Sequence, residues 1–168
     1  MRRALAAALV LATAPAVASA APLDGLIRFR DPRFCVPARD FARLLDSLLV
    51  SRGQGFDLRV PQVPRAYRRQ LGVAQIETRP HNLYVATLPL QGRWRGLEVR
   101  ELYTYATPDT DNLGFGIRFA ASPARVRAAA NAEGLRIPAA GRRVEQSELD
   151  TVIEVKPAPD GAELTCGT

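Results

Sequence analysis

Cys35, in the stretch RFCVPARD, and Cys166, two residues before the last, are the only cysteines of the chain, and His81 is its only histidine. Two thiolates and one imidazole fall short of a four-ligand structural zinc site, and no Cys-x-x-Cys is present for redox exchange. As a general base, His81 would need an orienting acid and a nucleophile within reach. Glu77 is near in sequence, but the Arg79-Pro80 turn stands between them, so His81 reads as a solvated turn residue. The GxSxG, SxxK and HExxH signatures and a phosphate loop are absent.

The loop TPDTDNLG gathers Asp109, Asp111 and Asn112. Hard cations favour such oxygen clusters, but a calcium loop of the EF-hand type needs further ligands and a glutamate at its twelfth position. Aspartate, asparagine and glycine are also the ordinary turn formers, and a turn is the reading adopted. No metal and no cofactor is expected. A carboxylate pair for glycoside hydrolysis can be drawn from many of the 17 acidic residues, and only their separation in space would select one.

Two basic-aromatic spots remain, RAYRR (Arg65, Tyr67, Arg68, Arg69) and GRWRG (Arg93, Trp94, Arg95). Arginine beside an aromatic ring serves nucleic-acid stacking and also protein hot spots. Trp94 follows the Gln91-Gly92 pair, where a hairpin tip would hold its indole away from the core. Arg93, Trp94 and Arg95 are therefore the candidate partner-binding residues, with folding of Trp94 back onto the core as the alternative.

The compartment narrows the choice. MRRALAAALVLATAPAVASA has a positive start at Arg2 and Arg3, an apolar run from Ala4 to Ala14, and small residues at Ala18-Ser19-Ala20. That is the three-part pattern of a secretory signal, too short to span a bilayer, with cleavage expected after Ala20. No later run is long and apolar enough for a membrane span, and no cysteine near the cleavage site offers a lipid anchor. The expected product, residues 21–168, is a single domain large enough to bury roughly 70% of its unfolded surface. Its formal charge falls from +6 to +4 with the loss of Arg2 and Arg3, and Lys156 is its only lysine. A mixed surface of that balance, exported, excludes nucleic acid as the expected partner.

In an oxidising compartment two thiols pair. A Cys35–Cys166 bond would close a loop of about 131 residues, for which chain entropy gives an upper figure of about 5 kcal/mol.

The elements that must position these residues follow from apolar period. In VPARDFARLLDSLLVSRG, Phe41, Leu44, Leu45, Leu48 and Leu49 form one helical stripe, with Pro37 at its start and Gly53 as its stop. VPRAYRRQLG reads as a second, short helix between Pro64 and Gly72. The period then drops to two: Val73–Thr78, Leu83–Leu88 and Trp94–Tyr105 read as strands joined by RPHN and LQGR turns. In the last of these Leu97, Val99, Tyr103 and Tyr105 share a face, with Glu101 out of place among them. GFGIRFA alternates cleanly, and Gly114 and Gly116 leave room for a neighbour, the third helix or another strand. SPARVRAAANAEG is that third helix, with Ser122 as N-cap, Val126, Ala129 and Ala130 as its inner face and Gly134 as its stop. TVIEV and AELTC are later strands.

The order predicts an α+β domain, an antiparallel meander sheet with helices packed on one face. This order resembles that of periplasmic modules in which a helix pair precedes a small meander, the β-lactamase-inhibitor-like and outer-membrane assembly lipoprotein folds. The resemblance carries no motif and assigns no residue. The expected function is an exported, periplasmic, non-enzymatic binding or accessory protein, inhibitor- or immunity-like, whose partner is another exported protein. A carboxylate hydrolase of envelope polymers and a carrier of a small apolar ligand are the alternatives.

Overall fold

The computed structural model describes residues 22–108, 110–146 and 149–168; the expected leader, residues 1–20, and Asp109 of the acidic loop lie outside these. A 3-10 turn at Leu23–Gly25 leads into β1 (Phe29–Asp31), which pairs with β2 (Val36–Pro37). Helix α1 spans Arg39–Leu48. Its expected stripe is its inner side: Phe41, Leu44, Leu45 and Leu48 are buried, as the i, i+3, i+4, i+7 spacing requires. It ends earlier than expected. Leu49 is extended, and Gly53 serves a small hairpin of β3 (Val50–Arg52) and β4 (Gly55–Asp57) instead of the helix stop. Residues Arg65–Gln70, where a short second helix is expected, form a helix of the 3-10 type.

The main sheet is antiparallel throughout and has seven strands: β5 (Gln75–Arg79), β6 (Leu83–Trp94), β7 (Leu97–Thr107), β8 (Thr110–Phe119), β9 (Arg142–Gln146), β10 (Leu149–Ala158) and β11 (Gly161–Gly167). Their spatial order is β5-β6-β7-β8-β11-β10-β9. A four-strand meander is thus followed by α2 (Pro123–Ala132), a hairpin, and a last strand inserted between β8 and β10. Cys166 therefore lies on an interior strand with partners on both sides, not on a frayed tail. Ser122 stands at the N-cap position of α2 without a side-chain capping bond, and Gly134, at φ +95°, ends the helix as expected.

Two corrections concern β6 and β7. The expected LQGR turn does not exist: β6 continues through it, absorbing an extra residue in a bulge between Pro89 and Gly92. The chain reverses instead at Arg95-Gly96, with Trp94 paired to Leu97. Both turn residues have positive φ (+49° and +75°), the two-residue geometry whose twist matches the flanking strands. A second bulge, in β7 between Val99 and Glu101, shifts the alternation by one. Leu97 and Val99 are buried, but beyond the bulge it is Leu102 that enters the core. Glu101, Tyr103 and Tyr105 fall together on the other side. Glu101 thus has fitting neighbours, and it is the two tyrosines that an unbroken period of two puts on the wrong face.

One buried cluster joins Leu23, Leu26 and Ile27 to Phe41, Leu44 and Leu48 of α1, Val126 and Ala130 of α2, and the core-side residues of the central strands. Those include Leu88 and Leu90 of β6, Phe115, Ile117 and Phe119 of β8, and Leu164 of β11. α2 lies against β10 and β11 rather than over the glycines of β8. Gly114 and Gly116 have a different use. They pair with Tyr105 and Tyr103, and a Cβ added at Gly116 would occupy the Tyr103 ring position. Glycine here makes room for cross-strand tyrosines, not for a helix.

Candidate functional site

Cys35 and Cys166 are bonded, with Cα atoms 6.2 Å apart and 131 residues between them in sequence. The bond joins the lead into α1 to the interior strand β11, inside the core. No helix of the described residues is long and apolar enough to cross a membrane.

Trp94 is not exposed. Its relative accessibility is 0%, its ring lies 5.7 Å from that of Phe119, and its indole nitrogen donates to the Ile27 carbonyl at 2.8 Å. The backbone nitrogen of Arg95 donates to Asp24 at 2.5 Å, and the Arg95 guanidinium pairs with Glu133. The hairpin end is thus covered by residues 23–27, a contact across 67 positions that no local pattern announces. Arg93 and Arg95 remain exposed, but the indole expected between them as an anchor belongs to the core. His81 is exposed, at φ +63° in the turn between β5 and β6. Asp111 and Asn112 fall on β8. Among the described residues no three His, Cys, Asp or Glu side chains are grouped to hold a metal ion.

A polar groove of about 630 Å³ instead runs over the strand residues that alternate with the core set. Its centre is Arg118. Its Nη1 donates to Glu101 at 2.5 Å, its Nε donates to Glu163 at 3.2 Å, and its guanidinium carbon lies 5.4 Å from the centre of the Tyr103 ring. Tyr103 and Tyr105 stack with centroids 6.5 Å apart. Burial, and then the negative charge of Glu163, push the Tyr103 hydroxyl well above the ordinary tyrosine range. Tyr105 is raised by burial and by Glu154. Desolvation works against the charge on Arg118, but Glu101 and Glu163 outweigh it and raise its pKa. Lining the same groove, Lys156 pairs with Glu154 at 2.5 Å, and the Arg79 Nε donates to Glu77 at 2.6 Å. Every side-chain charge of the groove therefore has an opposite partner. Sequence reasoning missed this set. One signal was present: Arg118 stands between Ile117 and Phe119, both core residues, so it must point to the opposite face. The β7 bulge hid the alignment of Arg118 with Glu101 and Tyr103.

A second recess, about 440 Å³, is chiefly apolar. Val36, Leu45, Leu49, Phe56 and Phe115 line it together with the disulfide, and Leu113, 53% exposed, lies at its wall.

Fold and disulfide define a small antiparallel α+β domain with a charge-paired groove on its sheet and an apolar recess beside its disulfide. No protein family, curated protein or solved structure matches this chain.

Proposed function

We propose that this is an exported, periplasmic, non-enzymatic binding or accessory protein, which holds another exported protein against the polar face of its sheet. The observation that carries this reading is the pair Tyr103 and Tyr105, half-exposed beside Arg118 in a groove of about 630 Å³. Tyrosine and arginine are among the residue types that dominate hot spots, since each offers a large rigid surface with a polar end. They replace Trp94 as the anchor. The hydrolase alternative loses support because Glu101 and Glu163 are both bonded to Arg118, whose guanidinium occupies the space between them that a water or a scissile bond would need. The Cys35–Cys166 bond supports an oxidising compartment. A photo-crosslinking amino acid at Tyr105 tests the reading in cells. It should trap an exported protein, while the same group at Arg125, on α2, should not; equal trapping at both positions, or none at Tyr105, overturns it.

The apolar recess favours one second reading, a carrier of a small apolar ligand. Native mass spectrometry of protein purified from the envelope should then show a bound mass that Leu45→Trp, filling the recess, displaces.

A further inference from the structure

A different side of the molecule carries arginines that form no ion pair among the described residues. Three adjoining grooves run along it. Arg30, Arg39, Arg43 and Arg59 line the first, about 640 Å³. Arg43 and Arg68 line the second, about 940 Å³, which shares Arg43 and Gln62 with the first. Arg65, Arg68 and Arg69 line the third. All seven arginines are exposed. The acidic residues lining these grooves are Asp40 and Asp46. The ion pairs of the described residues belong instead to Arg33, Arg52, Arg79, Arg95, Arg100, Arg118 and Arg143, and to Lys156.

Asp40 and Asp46, each three positions from Arg43 on α1, offset part of this charge, but the arginines outnumber them seven to two. Arg39 stands in the first turn of α1, where the helix dipole disfavours a cation, and Arg43 follows one turn later on the same side, where like charges repel. Arg65, Arg68 and Arg69 crowd a single 3-10 segment. Between the arginines the second groove has an apolar floor of Val63, Pro64 and Leu71. Val60 on its wall is 85% exposed, and Val73, just past it, is 81% exposed. Guanidinium groups bind carboxylates in a forked, bidentate way, and exposed aliphatic groups between them need apolar contacts from the same ligand. A flat lipid surface fits poorly into linked grooves, and a polyanion without side chains would leave the valines bare.

We propose that these grooves dock an acidic, extended segment of another polypeptide, with carboxylates on Arg43, Arg59 and Arg68 and apolar side chains on Val60, Val63 and Leu71. This goes beyond the sheet-face reading and stands without it.

The probe is a synthetic peptide with glutamates interspersed among leucines and prolines, titrated calorimetrically into residues 21–168. It should bind, and binding should weaken as salt rises, because exposed charge pairs are screened. The double variant Arg43→Gln with Arg68→Gln should bind about tenfold more weakly. Arg125→Gln with Arg136→Gln removes the same charge outside the grooves and should stay within about twofold of the parent. Unchanged thermal melting of both variants keeps folding out of the comparison. The proposal is overturned if the peptide does not bind or if both double variants weaken it equally. It is overturned too if polyglutamate binds as tightly as the mixed peptide, or if phosphatidylglycerol vesicles bind more tightly than either.

Discussion

In the sheet groove Arg118 lies between Glu101 and Glu163, Lys156 lies on Glu154 and Arg79 on Glu77. Along α1 and the 3-10 segment, Arg39, Arg43, Arg65, Arg68 and Arg69 have no such partners among the described residues. The two regions share residue types and differ in geometry. Neighbouring strands bring Glu101 and Glu163 to Arg118 at fixed register, and residues two apart on one strand, Glu77 with Arg79 and Glu154 with Lys156, share a face, so a sheet can neutralise its own polar side. A short helix and an irregular segment present side chains outward, and their charges stay available to another molecule. The charges of the groove are matched within the fold, and those of the arginine side outnumber the acids beside them.

The largest effect that bears on this contrast is common to both regions. Trp94 anchors the β6–β7 hairpin beneath residues 23–27, so Trp94→Ala should cost about 3–5 kcal/mol by urea denaturation and loosen both. In the parent its fluorescence should be blue-shifted and resistant to iodide; quenching like that of free tryptophan would contradict the burial. Replacing both cysteines by alanine should cost about 2–4 kcal/mol, read from the same denaturation curves. The loss should be the same in a protein already carrying the Arg43 and Arg68 substitutions, because those arginines do not lean on the bond.

Tyr103 gives a pH signature that only the sheet groove should show. Its folded pKa is raised, so the unfolded chain releases the phenolic proton first. Stability from this group is therefore complete below the unfolded value of about 10 and is lost as pH rises above it. Allowing for its partial exposure, Tyr103→Phe should remove up to about 1 kcal/mol of the alkaline loss that sets in above about pH 10. An identical alkaline limb in both proteins would contradict the burial of that hydroxyl. Arg118→Gln, which leaves two carboxylates facing one another, should cost about 1 kcal/mol. The smallest effect belongs to the arginine side: Arg43→Gln with Arg68→Gln should shift stability by less than about 0.5 kcal/mol. Equal costs for these last two would erase the distinction between the regions.

Much of the scaffold is legible in the chain itself. The α1 stripe, the Ser-Pro start of α2, the alternation of β8 and the pairing of the cysteines all rest on local period or on the absence of any other thiol. The site is less legible, and the failures have particular causes. A glycine at position 92 suggests a turn, but it serves a bulge, and the reversal uses Arg95, a residue type seldom found at positive φ. Gly114 and Gly116 suggest room for a helix only while the tyrosines opposite them are placed on the wrong face.

Sequence alone determined the antiparallel α+β composition, the buried side of α1 and the identity of the disulfide. These depend on side-chain periodicity within single elements and on there being just two cysteines to pair. Only the tertiary structure decided that β11 runs between β8 and β10, that residues 23–27 cover Trp94, and that Tyr103, Tyr105 and Arg118 share a groove. The reason is physical. One extra residue in a strand inverts every later side chain, and strand order and hairpin covering are settled by burial of distant surfaces, about which a local pattern carries no information.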